Sequence, residues 1–84
     1  MDRRSEMRIT IDILRESLNP ASKTRIMYRA NLNFLRFQKY LSKLLENGLI
    51  DEEKVPNNGV VHYRTTDKGR NLLQILKKAQ ELLT

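Results

Sequence analysis

A mainly α-helical domain carrying one β-hairpin is the fold class that this 84-residue sequence predicts. Apolar residues recur at helical spacing in four separate segments. Two short extended pieces flank Pro56-Asn57-Asn58-Gly59, and Asn-Gly between such pieces is a strong hairpin signal. Capping residues stand at the segment boundaries, with Ser22, Asn33 and Thr66 at helix starts and Gly48 at a helix end.

In the first segment Met7, Ile9, Ile11 and Ile13 alternate as a half-buried strand would, but Met7, Ile11, Leu14 and Leu18 also follow helical spacing. The helical pattern runs unbroken to Leu18, and Asn19-Pro20 then stops it, so a helix is expected. On that helix Ile9 and Ile13 face away from Met7, Ile11, Leu14 and Leu18, and two apolar faces require two packing partners.

Ser22 caps a short second helix over 23–30, with Ile26, Met27 and Ala30 inward and Arg25 and Arg29 together on another face. Tyr28 is expected to pack its ring in the core with its hydroxyl outward. Asn31-Leu32-Asn33 makes a turn, and Leu32 fills the angle between the helices. Asn33 caps a third helix that runs to Asn47, with Gly48 as a left-handed terminator. Its core side carries Phe34, Phe37, Leu41, Leu44 and Leu45, and Arg36, Lys39 and Lys43 make a stripe nearly opposite.

Strands are expected over 49–55 and 60–65. If Asn58-Gly59 is the two-residue turn, Glu53 faces Arg64; if Asn57-Asn58 is, Asp51 does. Thr66-Asp67 opens the last helix, with Gly69 in its first turn, where glycine costs about 1 kcal/mol relative to alanine and so signals a close backbone contact. Leu72, Ile75, Leu76, Ala79, Leu82 and Leu83 form its apolar stripe, with Leu73 beside it. That helix is too apolar to stand alone in water.

A chain of this length builds one domain and buries only roughly 60 to 65% of its unfolded surface, which disfavours a deeply enclosed active site. It has no cysteine and one histidine, His62, which excludes disulfides, thiolate metal sites and a histidine pair for zinc. No cofactor, metal or small-molecule ligand is therefore expected, and His62 reads as an ordinary strand residue. No apolar run approaches a membrane span and the first residues lack an apolar signal region, so a soluble, unprocessed, cytoplasmic chain is expected. The three glycines are isolated and no nucleophile and base are paired, so an enzyme finds little support.

Charge placement is more informative than the net +6. Between Glu16 and Glu46 there is no acidic residue, and this stretch holds Lys23, Arg25, Arg29, Arg36, Lys39 and Lys43. The rest of the chain sums to zero, so the entire excess lies in one block. Such a block is the footprint of a nucleic-acid surface, because neutralising phosphates releases condensed counterions.

Helix, short helix, helix, hairpin, helix, with basic residues on the third element, is the order of a winged helix-turn-helix domain in which the hairpin is the wing. If the third helix enters the major groove of double-stranded DNA, Asn33, Phe34, Arg36, Lys39 and Lys43 come near it. Arg36 is the first choice for a base contact, since its planar fork fits guanine bidentately, and Lys39 and Lys43 suit phosphates. Ser22, Lys23, Thr24 and Arg25 open the second helix where a phosphate can be held, and Arg29 lies one turn later. Phe34 and Leu35 read as core or partner contacts rather than an intercalating wedge. The uncharged wing tip, Asn57 and Asn58, suits a minor-groove or sugar contact.

The run Lys23-Thr24-Arg25-Ile26-Met27-Tyr28-Arg29-Ala30-Asn31-Leu32-Asn33 resembles the archaeal ten-kilodalton winged-helix DNA-binding proteins. So do Tyr40-Leu41, Leu44-Leu45, Asn47-Gly48-Leu49-Ile50 and Tyr63-Arg64-Thr65-Thr66-Asp67-Lys68-Gly69, the likeness covering about residues 6 to 84. It implies a homodimer joined by an antiparallel coiled coil of C-terminal helices, acting on DNA as a chromatin component or transcriptional regulator. Residues 1–66 would then be the DNA-binding domain and 67–84 the dimerisation helix packed on it, through Leu72, Ile75, Leu76, Ala79, Leu82 and Leu83. A final helix of roughly 18 residues spans about 27 Å, which favours a compact dimer over a long rod. The rival reading is a winged-helix module that binds other proteins and not DNA.

Overall fold

The computed structural model describes residues 4–56 and 58–83. The expected order is found: α1 (Glu6–Glu16), α2 (Lys23–Arg29), α3 (Phe34–Glu46), β1 (Ile50–Lys54), β2 (Val61–Thr65) and α4 (Asp67–Leu83). Both apolar faces of α1 are used. Ile9, Ile11, Ile13 and Leu14 are all buried, and α2 and α4 pack against the helix. It ends at Glu16 rather than Leu18 because Ser17 is a buried joint to the hairpin. Ser17 Oγ donates to the Ile13 carbonyl at 2.8 Å, and the Ser17 carbonyl accepts from Thr65 N–H at 2.8 Å. Thr65 Oγ1 completes the joint by donating to the Leu14 carbonyl at 2.7 Å.

The helix-turn-helix is built from capping chemistry. Ser22 Oγ accepts from Arg25 N–H at 3.2 Å and Asn33 Oδ1 from Arg36 N–H at 2.8 Å, each satisfying an orphan donor of a first turn. Between the helices Asn31 adopts φ 56°, a left-handed conformation that asparagine tolerates. Asn31 N–H then donates to Tyr28 O and Leu32 N–H to Met27 O, both at 3.1 Å, closing α2 as a Schellman motif. Gly48, at φ 69°, closes α3 in the same way through Gly48 N–H to Leu45 O and Leu49 N–H to Leu44 O.

The hairpin is antiparallel with Asp51 opposite Arg64, the register expected of a turn centred on Asn57-Asn58. Ala21 bridges to Tyr63 on the other side of β2, so β2 is bonded along both edges there. Thr66 Oγ1 ties α4 down, donating to Gly48 O at 2.7 Å and accepting from Gly69 N–H at 3.0 Å. Gly69 has the close contact expected of it: a Cβ there would collide with the Leu49 carbonyl oxygen and the Thr65 methyl.

The core gathers α1, Ile26, Ala30, Leu32, Phe37, Leu41, Leu44, Ile50, Tyr63 and Leu73. Two side chains expected inward are not there. Tyr28 is 83% exposed, because it stands two positions from both Ile26 and Ala30, about 200° around the helix from that buried edge. Phe34 is 56% exposed, because it opens α3 one turn before Phe37, where the core begins.

Candidate nucleic-acid interface

Helix α3 buries Phe37, Leu41 and Leu44. Directly opposite, at spacings of four and seven, lie Leu35, Lys39 and Ser42. Gln38 flanks this strip on the side of α2, and Arg36 and Lys43 flank it on the other. Lys39 and Lys43 are exposed and Arg36 is half-buried. Leu35, at 81% exposure, occupies the outward strip near the start of the helix.

The cations of α2 divide between two flanks. Lys23 turns toward α3, where its Nζ donates to Gln38 Oε1 at 3.2 Å and lies 5.9 Å from the centroid of the Tyr63 ring. Gln38 Nε2 in turn donates to Ser42 Oγ at 3.4 Å, so a polar chain runs from α2 along α3. Arg25 is two positions on from Lys23, about 200° around the helix. Arg25 and Arg29 line a basin of about 400 Å³ with Arg15 and His62, edged by Glu16, Asn19, Pro20 and Ala21. The six cations of the acid-free block thus form two groups: Lys23 with Arg36, Lys39 and Lys43 around α3, and Arg25 with Arg29 on the flank beside α1 and β2.

Their electrostatic state differs from that of the other arginines. Arg4, Arg8 and Arg15 converge on the buried Asp12 at 2.8, 3.3 and 3.0 Å. Arg70 pairs with Asp67 at 2.8 Å, and Arg64 reaches diagonally to Glu53 at 3.9 Å rather than to Asp51 opposite. Among the described residues, none of Arg25, Arg29, Arg36, Lys39 and Lys43 enters an ion pair. Nearby, burial raises the Tyr63 phenol pKa, with Glu52 on the facing strand adding to the rise.

Other expected site residues carry local duties. The side-chain oxygens of Ser22 and Asn33 are engaged as helix caps, and Thr24 is exposed beside them. Asn58 Oδ1 accepts from Val60 N–H at 2.9 Å, which fixes it within the wing loop. Asn57 lies outside the described residues. The acids Asp51, Glu52 and Glu53 are exposed along β1. On α4 Leu73 is buried against the core, Leu72, Leu76 and Ala79 are half-buried, and Ile75, Leu82 and Leu83 are 64%, 76% and 75% exposed.

Sequence reasoning did not assign Leu35 or Ser42 to the outward strip, nor Gln38 to its flank. The signal was present in the spacing of Leu35 from Lys39, but an apolar residue beside Phe34 reads as a core or partner contact. Among the described residues no group of three or more His, Cys, Asp or Glu side chains is placed to hold a metal ion. No helix among them is long and apolar enough to cross a membrane.

Residues 3–84 match the family described as winged helix-turn-helix, and the chain belongs to that family. Among solved structures it is similar to Sso10a-2, a DNA-binding protein from Sulfolobus solfataricus, with a TM-score of 0.84 and 30% identity over 94% of this chain and 81% of that one. The resemblance read from the sequence is thereby borne out at the level of family and fold. The chain is also 36% identical over 61 residues to the uncharacterized protein MJ0287 of Methanocaldococcus jannaschii, a match covering 73% of this chain and 57% of that protein. To MJ0290 of the same organism it is 34% identical over 82 residues, covering 96% of this chain and 36% of that protein. The chain therefore spans little more than half of the first relative and about a third of the second.

Proposed function

We propose that the chain binds double-stranded DNA as a small dimeric transcriptional regulator or chromatin protein of the cytoplasmic nucleoid, with α3 in the major groove. The observation that carries this reading is the set of cations that enter no ion pair among the described residues, on a helix-turn-helix with no acidic residue between Glu16 and Glu46. Counterion release rewards such side chains when they meet phosphates, whereas intramolecular partners would have to be broken first. The likeness to a DNA-binding archaeal protein supports it.

In this reading Lys39 and Lys43 hold phosphates along the groove, Arg36 reaches a base edge or the backbone beside it, and Lys23 with Gln38 anchors α2 to the same duplex. Arg25 and Arg29 meet a more distant stretch of backbone. Residues 1–66 form the DNA-binding unit, and α4 joins two copies through Ile75, Leu82 and Leu83, which the single chain leaves in water. The rival, a protein-interaction module, is favoured by the exposed Tyr28. Arg36→Ala combined with Lys39→Ala is expected to lower duplex affinity at least about tenfold, as loss of two charge contacts implies. Unchanged retardation of DNA by the folded double variant would reject the reading.

A further inference from the structure

We propose that Leu35 reads the 5-methyl groups of thymine, giving the protein a preference for A·T base pairs in the major groove; this rests on the DNA-binding reading above. Leu35 is 81% exposed and stands on the face of α3 opposite the buried Phe37, Leu41 and Leu44. It lies in the first turn of the helix, where a recognition helix meets base edges. Leucine is a good helix former and exposure alone assigns it no role; what sets Leu35 apart is its place in the first turn of this helix, at the head of a strip otherwise made of the polar Lys39 and Ser42. An apolar protein partner seated on Leu35 would have to desolvate the Lys39 charge, whereas a duplex places phosphates near that charge and bases near the leucine.

The chemistry then selects the base. Leucine has no donor or acceptor, and the thymine methyl is the one alkyl group on the major-groove edge of the four bases, cytosine presenting only a C–H at that position. Against thymine both surfaces lose water and nothing polar is stranded. Against guanine or cytosine the same side chain would cover the O6 and N7 acceptors or the N4 donor without replacing their hydrogen bonds.

The test compares an alternating adenine–thymine duplex with its deoxyuridine counterpart, which lacks only the methyl groups, using the full chain and Leu35→Ala. The wild-type chain is expected to bind the thymine duplex at least about fourfold tighter, the effect of burying one methylene-sized group. Leu35→Ala is expected to bind both duplexes equally, near the wild-type affinity for the deoxyuridine duplex. Its fold is readable independently by thermal unfolding, since the side chain lies outside the core. Equal wild-type affinity for the two duplexes overturns the inference and leaves DNA binding standing. A thymine preference that persists in Leu35→Ala also overturns it, because the methyl would then act through duplex shape. Binding to neither duplex removes the DNA-binding reading itself, and the inference with it.

Discussion

Arg4 binds the carboxylate of Asp12 at 2.8 Å across the start of α1, and the same guanidinium donates to the carbonyls of Ala30 and Asn31 at 2.6 and 2.8 Å. Those carbonyls sit at the C-terminal end of α2, where a helix leaves acceptors unfilled and a positive charge is favoured. One side chain therefore ties α1 to the left-handed turn of the helix-turn-helix. It fixes the corner from which α3 departs.

Removing this strap should loosen the helix-turn-helix. Asp12 is buried and gathers three arginines, so Asp12→Ala leaves like charges crowded without a counterion and is expected to cost about 2 to 3 kcal/mol. Arg4→Ala strands two carbonyls near the surface and is expected to cost about 1 to 2 kcal/mol. Urea unfolding measures both. Losses under about 0.5 kcal/mol, the size of an ordinary surface substitution, would deny the strap its role.

Gly69→Ala distinguishes helix propensity from packing by the sign of its effect. Propensity alone favours alanine by about 1 kcal/mol. The added methyl would strike the backbone oxygen of Leu49, which has no side-chain torsion by which to yield. Overpacking is therefore expected to win, with a net loss of about 2 kcal/mol in thermal or urea unfolding. A stabilised variant would show that α4 is free to shift on the hairpin.

Helix α4 exposes Ile75 at its middle and Leu82 and Leu83 at its end, and burying such side chains between two copies is worth about 1.5 to 3 kcal/mol each. Sedimentation equilibrium is expected to give twice the chain mass for the wild-type protein. Ile75→Asp with Leu82→Asp is expected to return it to the monomer with the helix-turn-helix still folded. A monomer at all concentrations in the wild-type chain would refute dimerisation through α4.

The fold was legible because its signals are local. The caps Ser22 and Asn33, the terminator Gly48 and the close-packed Gly69 each announce a boundary or a contact through the chemistry of one residue. The candidate interface was legible only as composition. An acid-free block states that cations are available, but which flank each occupies depends on where the core takes hold of its helix. Lys23 and Arg25 are near neighbours in sequence and point to different sides of α2. Tyr28 and Phe34 looked like core because they are aromatic, yet Tyr28 stands on the face of α2 away from Ile26 and Ala30, and Phe34 opens α3 a turn before the core begins. Leu35 was read as a core or partner contact, and its 81% exposure leaves only the second open. The role of Asp12 and Arg4 depends on a contact between residues 4 and 30, which no helical spacing encodes.

The salt dependence of duplex affinity tests the central claim most directly. Four to six phosphate contacts should make the affinity fall about a hundredfold or more between roughly 50 and 200 mM salt, with log affinity linear in log salt concentration. A duplex affinity that stays flat across that range, or no measurable binding at the lower salt, would contradict the account.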